Sequence, residues 1–166
     1  MILSAASILF IAWTAAVAIC DCRSRRIPNS LVVAGLAAAF ICAFFQYSPF
    51  NVPTGQAVIG AVVGLLALLP FFALGVMGAA DVKVFAVLGA WCGVHMLLGL
   101  WIVASVAAGL HALWLLITTR TRLPVIGRSA TPTFAVAGKA STPYGACLTV
   151  PACAWLLLQL SNSVPR

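Results

Sequence analysis

The sequence predicts an all-α membrane protein with six transmembrane helices, and two observations carry that prediction. Of the 166 residues, 64% are hydrophobic and only 7% are charged, whereas about 25% of the residues of a soluble domain are charged. The apolar residues stand in long runs, and a helix needs about 20 such residues to cross about 30 Å of hydrocarbon. This composition excludes a soluble globular domain, a disordered chain and a nucleic-acid-binding protein of the usual kind.

The predicted spans follow one another closely enough to fill the chain, so we expect a single membrane domain over residues 1–166. The first span has no basic segment before it and no small-residue cleavage pattern after it, which indicates a retained helix rather than a secretory signal. Pro28 sets a turn before the second span, and the side chain of Asn29 is expected to cap that helix. The predicted spans cover about 2–20, 30–45, 57–74, 81–93, 94–118 and 144–160.

Small residues and turn residues locate the later spans. Gly60 and Gly64 lie one helical turn apart in the third span, a spacing suited to close contact between helices. No polar break separates the fourth span from the fifth, and Gly93-Val94-His95 is the best candidate for the turn between them. The sixth span begins at about Tyr144.

The charged residues lie between the spans and predict the orientation of the protein. Nine Lys and Arg residues and two acids give a net charge of +7. Basic connections stay on the cytoplasmic side of a membrane, so we expect the connections over about 21–29, 75–83 and 120–142 to be cytoplasmic. Both termini then lie outside, and every basic residue except Arg166 is cytoplasmic. The orientation explains the positive charge without a nucleic-acid partner.

The acids of the chain are Asp21 and Asp81, and it contains no Glu. Each lies at the cytoplasmic end of a predicted span, so the two are expected to meet at one depth. A carboxylate at the centre of a membrane helix costs about 2.5–3.5 kcal/mol on insertion scales, so acids next to hydrocarbon usually have a function. Two facing carboxyl groups share a proton, so one can activate water while the other donates to a carbonyl oxygen. This is the chemistry of aspartic proteases, which requires neither a metal nor a nucleophilic side chain.

Other interpretations of the two acids stay open at this point. Asp21 could pair with Arg25 one turn further on, and Asp81 could serve as a helix cap. A proton-coupled transport or channel subunit would use the acids as a proton relay, and a structural membrane protein would use them for no chemistry. Transporters often carry inverted repeats with acids near the membrane midplane, whereas these acids lie at one face and no repeat is visible.

The cysteines and histidines do not predict a metal site. Six cysteines are present without a CxxC pair, so we expect no zinc, and no cofactor is implied. His95 is expected near the outer face, away from both acids. Free thiols in apolar runs behave as small hydrophobic residues.

Three motifs resemble those of the type IV prepilin peptidases. Residues 21–29 read Asp-Cys-Arg-Ser-Arg-Arg-Ile-Pro-Asn and resemble the D-x-[RK]-x-x-x-I-P-N signature of that family. Residues 78–83 read Gly-Ala-Ala-Asp-Val-Lys and resemble the G-x-G-D-[VA]-K motif, with Ala80 at the second glycine position. Residues 143–145 read Pro-Tyr-Gly and resemble the P-[YF]-G motif near the last span. The motifs stand in the order found in the family.

This resemblance implies a six-helix intramembrane aspartic endopeptidase of the GxGD type, with Asp21 and Asp81 as its catalytic pair. Such an enzyme would reside in the bacterial inner membrane, among lipids, and cut the basic leader from prepilins or pseudopilins at the cytoplasmic face. The short chain most resembles the small enzymes of the tight-adherence (Flp) pilus branch. Larger relatives carry a cysteine-containing insert and an N-methyltransferase activity, neither of which we expect here.

The remaining motif positions are expected to support the site or the substrate. Ile27, Pro28 and Asn29 would shape the turn that aims Asp21 inward, and the residues at the start of the sixth span would line the site. Lys83 would bind lipid phosphate, orient the loop, or act as a positive-inside anchor. The full supporting set is Arg23, Ile27, Pro28, Asn29, Gly78, Lys83, Pro143, Tyr144 and Gly145.

Overall fold

The computed structural model describes residues 4–24, 26–75, 77–120 and 144–162, which form six α-helices. The all-α prediction is therefore confirmed for this part of the chain. Pro143, Arg25 and most of the connection between the last two helices lie outside the described residues. The helices are α1 (Ala5–Ser24), α2 (Asn29–Phe44), α3 (Thr54–Ala73), α4 (Ala79–Cys92), α5 (Val94–Arg120) and α6 (Tyr144–Asn162).

Four of these helices, α1, α3, α5 and α6, are long and apolar enough to cross a membrane. The helices α2 and α4 are shorter, with 16 and 14 residues. Many large apolar side chains on the long helices are exposed, among them Leu66, Leu110 and Leu158. Exposed side chains of this kind suit a lipid surface, so the fold and the hydropathy together indicate a membrane protein.

Helix α4 lies at the centre of the bundle, in contact with α2, α3, α5 and α6. Its residues from Val87 to Cys92 are all buried. The side chain of Trp91 packs edge-on against Phe10 of α1, with ring centroids 5.3 Å apart. The surrounding helices therefore enclose the shortest helix, whose start carries Asp81.

Glycines allow α3 to approach α4 closely. A Cβ on Gly60 would run into the carbonyl oxygen of Gly89, and a Cβ on Gly64 would lie 2.8 Å from the carbonyl oxygen of Phe85. Backbone therefore meets backbone at this interface. The close helix contact predicted for Gly60 and Gly64 is confirmed.

The chain turns between α4 and α5 at Gly93, as the sequence predicts. Gly93 has a φ of +72°, a left-handed conformation that glycine adopts without steric cost. Its N–H donates to the carbonyl oxygen of Gly89 at 2.9 Å, and α5 begins at the next residue, Val94.

The predicted capping role of Asn29 is wrong. Pro28 occupies the N-cap position of α2, which has no side-chain capping hydrogen bond, and Asn29 is the first residue of the helix. The Asn29 side chain is used across the bundle instead, where its Oδ1 accepts a hydrogen bond from Nζ of Lys83 on α4 at 2.9 Å.

Candidate active site

Asp21 lies in the last turn of α1 and is buried, with 7% of its surface exposed. Helix α1 continues to Ser24, so Asp21 and Arg23 are helical rather than part of a loop. Oδ2 of Asp21 accepts a hydrogen bond from the backbone N–H of Ala146, in the first turn of α6, at 2.9 Å. The end of the first helix therefore meets the start of the last helix at this carboxylate.

Asp81 lies in the first turn of α4, at the end of the helix and outside the four helices of spanning length. Gly78 is the N-cap residue, and its backbone N–H donates to the Asp81 carboxylate. An acidic side chain that reaches back to the N-cap in this way satisfies an N–H that the helix leaves free. Gly78 is thus placed beside the acid, as its motif position predicts.

The two carboxyl groups are close enough to interact electrostatically. The charge of Asp21 acts on the carboxyl group of Asp81, which also accepts the hydrogen bond from Gly78. The charge of Asp81 also acts on Tyr144, and both aspartates act on the thiol of Cys147. The ends of α1, α4 and α6 therefore form one site around the acids.

Such a pair can perform acid–base chemistry. Two interacting carboxyl groups hold the first proton more tightly than isolated ones, and the titration belongs to the pair. One member can then accept a proton from water while the other donates one to a substrate oxygen. Within the described ranges, no cluster of three or more His, Cys, Asp or Glu side chains could hold a metal ion.

The side chain of Ile27 and the carboxylate of Asp21 both lie beside Gly145, at the start of α6. A Cβ on Gly145 would lie 3.0 Å from Oδ2 of Asp21 and 3.0 Å from Cδ1 of Ile27. Pro28 follows Ile27 with extended backbone, at φ −65° and ψ 141°, and leads into α2. The structure therefore brings Ile27 and Gly145 to Asp21, as their motif positions predict.

Lys83 connects the first motif with the second, because its hydrogen bond to Asn29 joins the start of α4 to the start of α2. Of the three roles considered for Lys83, this contact favours orientation of the loop. The motif resemblance implies that this site cleaves peptides. We expect Asn29→Ala and Lys83→Ala each to slow that cleavage by about two- to fivefold, with the double variant no slower than the worse single one.

Cleavage rates in membranes, normalised to the amount of protein, would test this coupling. Ser30→Ala is the matched control, since Ser30 follows Asn29 on α2 and is exposed, and it should leave the rate unchanged. Losses that multiply in the double variant would show that the two residues act independently.

Two contacts at the site have no signal in the sequence. The hydroxyl groups of Tyr144 and Ser105 lie 3.2 Å apart and link α6 to α5, but Ser105 is an isolated polar residue in an apolar helix. Ala146 contributes a backbone N–H, which every residue except proline carries. His95, by contrast, is exposed in the first turn of α5, beyond the end of α4 that lies opposite Asp81; it is therefore away from the acids, as expected.

Ala80, at the second glycine position of its motif, fits the structure. It is the second residue of α4, in helical backbone, a conformation open to every L-residue.

We expect Ala80→Gly to change the cleavage rate by less than about twofold and to lower stability by up to about 1 kcal/mol, since glycine disfavours helix. Rate and thermal unfolding measurements would check this, and a tenfold gain in rate would contradict it.

The fold and the site define a helical membrane protein with a coupled pair of carboxyl groups at one end of its bundle. The sequence model of the type IV leader peptidase family matches residues 8–113, more than half of the chain, and both aspartates lie inside the match. The protein belongs to that family, and it is therefore a peptidase. A search of curated proteins and a search of solved structures each returned no match.

Proposed function

We propose that the protein is an aspartic endopeptidase that removes the basic leader from prepilins or pseudopilins at the cytoplasmic face of the bacterial inner membrane. The observation that carries this proposal is the electrostatic contact between Asp21 and Asp81, the two acids of the whole chain. Membership of the leader peptidase family supports the same reaction.

The proposed mechanism is hydrolysis by a water held between Asp21 and Asp81. The ionised carboxyl group takes a proton from the water as its oxygen attacks the scissile carbonyl carbon, and the protonated carboxyl group donates to the carbonyl oxygen. The tetrahedral intermediate then collapses as the C–N bond breaks. The pair gives a proton to the leaving amine and takes one back from a hydroxyl group of the intermediate, which becomes the carboxyl group of the product. The pair returns to its singly protonated state without a covalent intermediate.

The proposed topology has six spans, with both termini outside and the site on the cytoplasmic side. Helix α4 has 14 residues, which extend about 21 Å, so it is shorter than the hydrocarbon layer of about 30 Å. Because other helices surround it, α4 can begin below the headgroup region. Asp81 would then lie where a membrane-anchored substrate leaves the bilayer.

The basic residues near the site are better suited to bind the membrane surface than to bind the substrate leader. Arg23 and Arg26 are exposed, and a positive substrate leader would be repelled by them. Anionic lipid headgroups would bind both the enzyme and the leader, so we propose lipid as the second partner.

We also propose that this short form belongs with the Flp pilus branch and does not methylate its product.

Co-expression with candidate prepilins would test the proposal. We expect the leader to be removed, with the new N-terminus located by mass spectrometry and carrying an unmethylated amine. Persistence of the full-length prepilin at verified levels of both proteins would contradict the proposal.

The transport alternative requires proton flux into vesicles that contain the purified protein, measured with an internal pH-sensitive dye, and we expect none.

A further inference from the structure

We propose that the first turn of α6 positions Asp21 for catalysis. The Ala146 N–H holds one carboxylate oxygen of Asp21, and Gly145 leaves free the space beside that oxygen. This inference rests on the proposed function, in which Asp21 takes part in hydrolysis. The family match ends at residue 113, and the motif resemblance at residues 143–145 implies only that the start of the last span lines the site.

The first step is the direct hydrogen bond between α6 and Asp21. Ala146 is the third residue of α6, and its N–H donates to Oδ2 of Asp21 at 2.9 Å in a buried setting. The first N–H groups of a helix have no partner within the helix. The carboxylate satisfies one of them, so the bond is available without loss of any helical hydrogen bond.

The second step concerns the electrostatics of the two helix ends at Asp21. Asp21 lies in the last turn of its own helix, where the negative end of the helix dipole disfavours a carboxylate. The start of α6 presents the positive end of another helix to the same group. The favourable interaction that holds Asp21 therefore comes from α6 rather than from α1.

The third step is the space at Gly145. The nearest atoms to an added Cβ would be Oδ2 of Asp21 and Cδ1 of Ile27, both at 3.0 Å, followed by Cγ of Asp21 at 3.3 Å. Gly145 lies inside a helix and its φ is not among the positive values, so backbone conformation does not require glycine here. A side chain at position 145 would instead be crowded by the Asp21 carboxylate and by Ile27, which explains why glycine stands there.

The consequence is that α6 fixes where the Asp21 carboxylate points. A displacement of about 1 Å in a catalytic group can cost about a hundredfold in rate. Substitutions in the first turn of α6 should therefore lower kcat while KM stays near its native value, because substrate binding does not depend on which way Asp21 points.

Two variants test the two halves of this proposal. Ala146→Pro removes the N–H in the first turn of α6, where a helix tolerates proline, and its control, Gln56→Pro, makes the same change at the third residue of α3. Gly145→Ala adds the methyl group beside Asp21, and its control is Gly99→Ala on α5, where an added Cβ meets nothing within 4 Å. We expect both test variants to lose about ten- to a hundredfold in kcat with KM within about twofold, and both controls to remain near native.

A third variant separates an effect on Asp21 from an effect on packing. Ile27→Val deletes Cδ1, the Ile27 atom that the added methyl group would meet. We expect Gly145→Ala to remain slow when combined with Ile27→Val, because the contact with Asp21 persists. Full recovery of kcat in the combination would overturn the role of Gly145 at Asp21.

The outcomes also distinguish this proposal from the proposed function. Native kcat in Ala146→Pro would overturn the positioning role of the N–H, while loss of cleavage in Asp21→Asn would leave the peptidase mechanism standing. If Ala146→Pro does not accumulate in membranes, Gly145→Ala decides alone, and native kcat in that variant overturns the proposal. Native cleavage in Asp21→Asn would remove the basis of both proposals.

Discussion

Replacement of either Asp21 or Asp81 with asparagine should lower leader cleavage by about a hundred- to ten-thousandfold, the usual range for loss of a general acid or base. Asparagine has nearly the size of aspartic acid, but it neither accepts nor releases a proton near neutral pH. Because the two carboxyl groups act as one unit, the double variant should be no slower than either single variant. The measurement is the rate of leader removal per amount of enzyme in membranes.

Protein levels should remain normal in these variants. The introduced asparagine would keep an amide oxygen at either position, and that oxygen can accept the hydrogen bond that Ala146 or Gly78 donates to the native carboxylate. Cys22→Ala is a suitable control, since Cys22 follows Asp21 on α1 and is exposed, and it should retain the native rate. Native cleavage in Asp21→Asn or in Asp81→Asn would refute the paired-carboxyl mechanism.

The second large effect is expected at the interface between α3 and α4. Gly60→Ala should destabilise the protein by about 1–3 kcal/mol or more, the cost of forcing extra atoms into a close-packed contact. The added Cβ would run into the carbonyl oxygen of Gly89, which is backbone and has no rotamer by which to move away. The start of α4 would shift with the helix, so cleavage should fall together with stability because Asp81 moves.

The same substitution at an exposed glycine of α5 should stabilise the protein instead. Gly109 is exposed and nothing lies within 4 Å of an added Cβ, so Gly109→Ala should gain up to about 1 kcal/mol from helix propensity. Thermal unfolding in detergent, followed by the loss of helical signal, compares the two. Equal stability changes in the two variants would show that the contact between Gly60 and Gly89 does not limit packing.

The positions of the helices follow from local features of the sequence. Five breaks predict six helices, and the structure has helices in all six places. The breaks are Pro28, the segment around Gly55, the connection over about 75–83, Gly93 and the connection over about 120–142. These features act through residues that are neighbours in the chain, since Pro28 disfavours helical backbone at the residue before it and the positive φ of Gly93 does not continue a right-handed helix. The rarity of acids in an apolar chain similarly directs attention to Asp21 and Asp81 without knowledge of the packing.

Which hydrogen bond a polar side chain makes depends on residues that are distant in the sequence. The amide of Asn29 suits a helix cap, which is the local expectation, but in the folded protein it accepts from Lys83, 54 residues away. Both uses satisfy the same oxygen atom. Only the arrangement of α2 beside α4 determines which donor reaches it.

The sequence by itself determined the class of protein, the six helices and the pair of acids, because composition, turn residues and motif spacing are properties of the chain. Only the tertiary structure decided that α4 lies enclosed at the centre, that Gly60 faces Gly89, and that α6 binds Asp21. The partner of Asp21 is a backbone N–H 125 residues away. Such a donor is present at almost every residue, so packing alone selects which one meets the carboxylate.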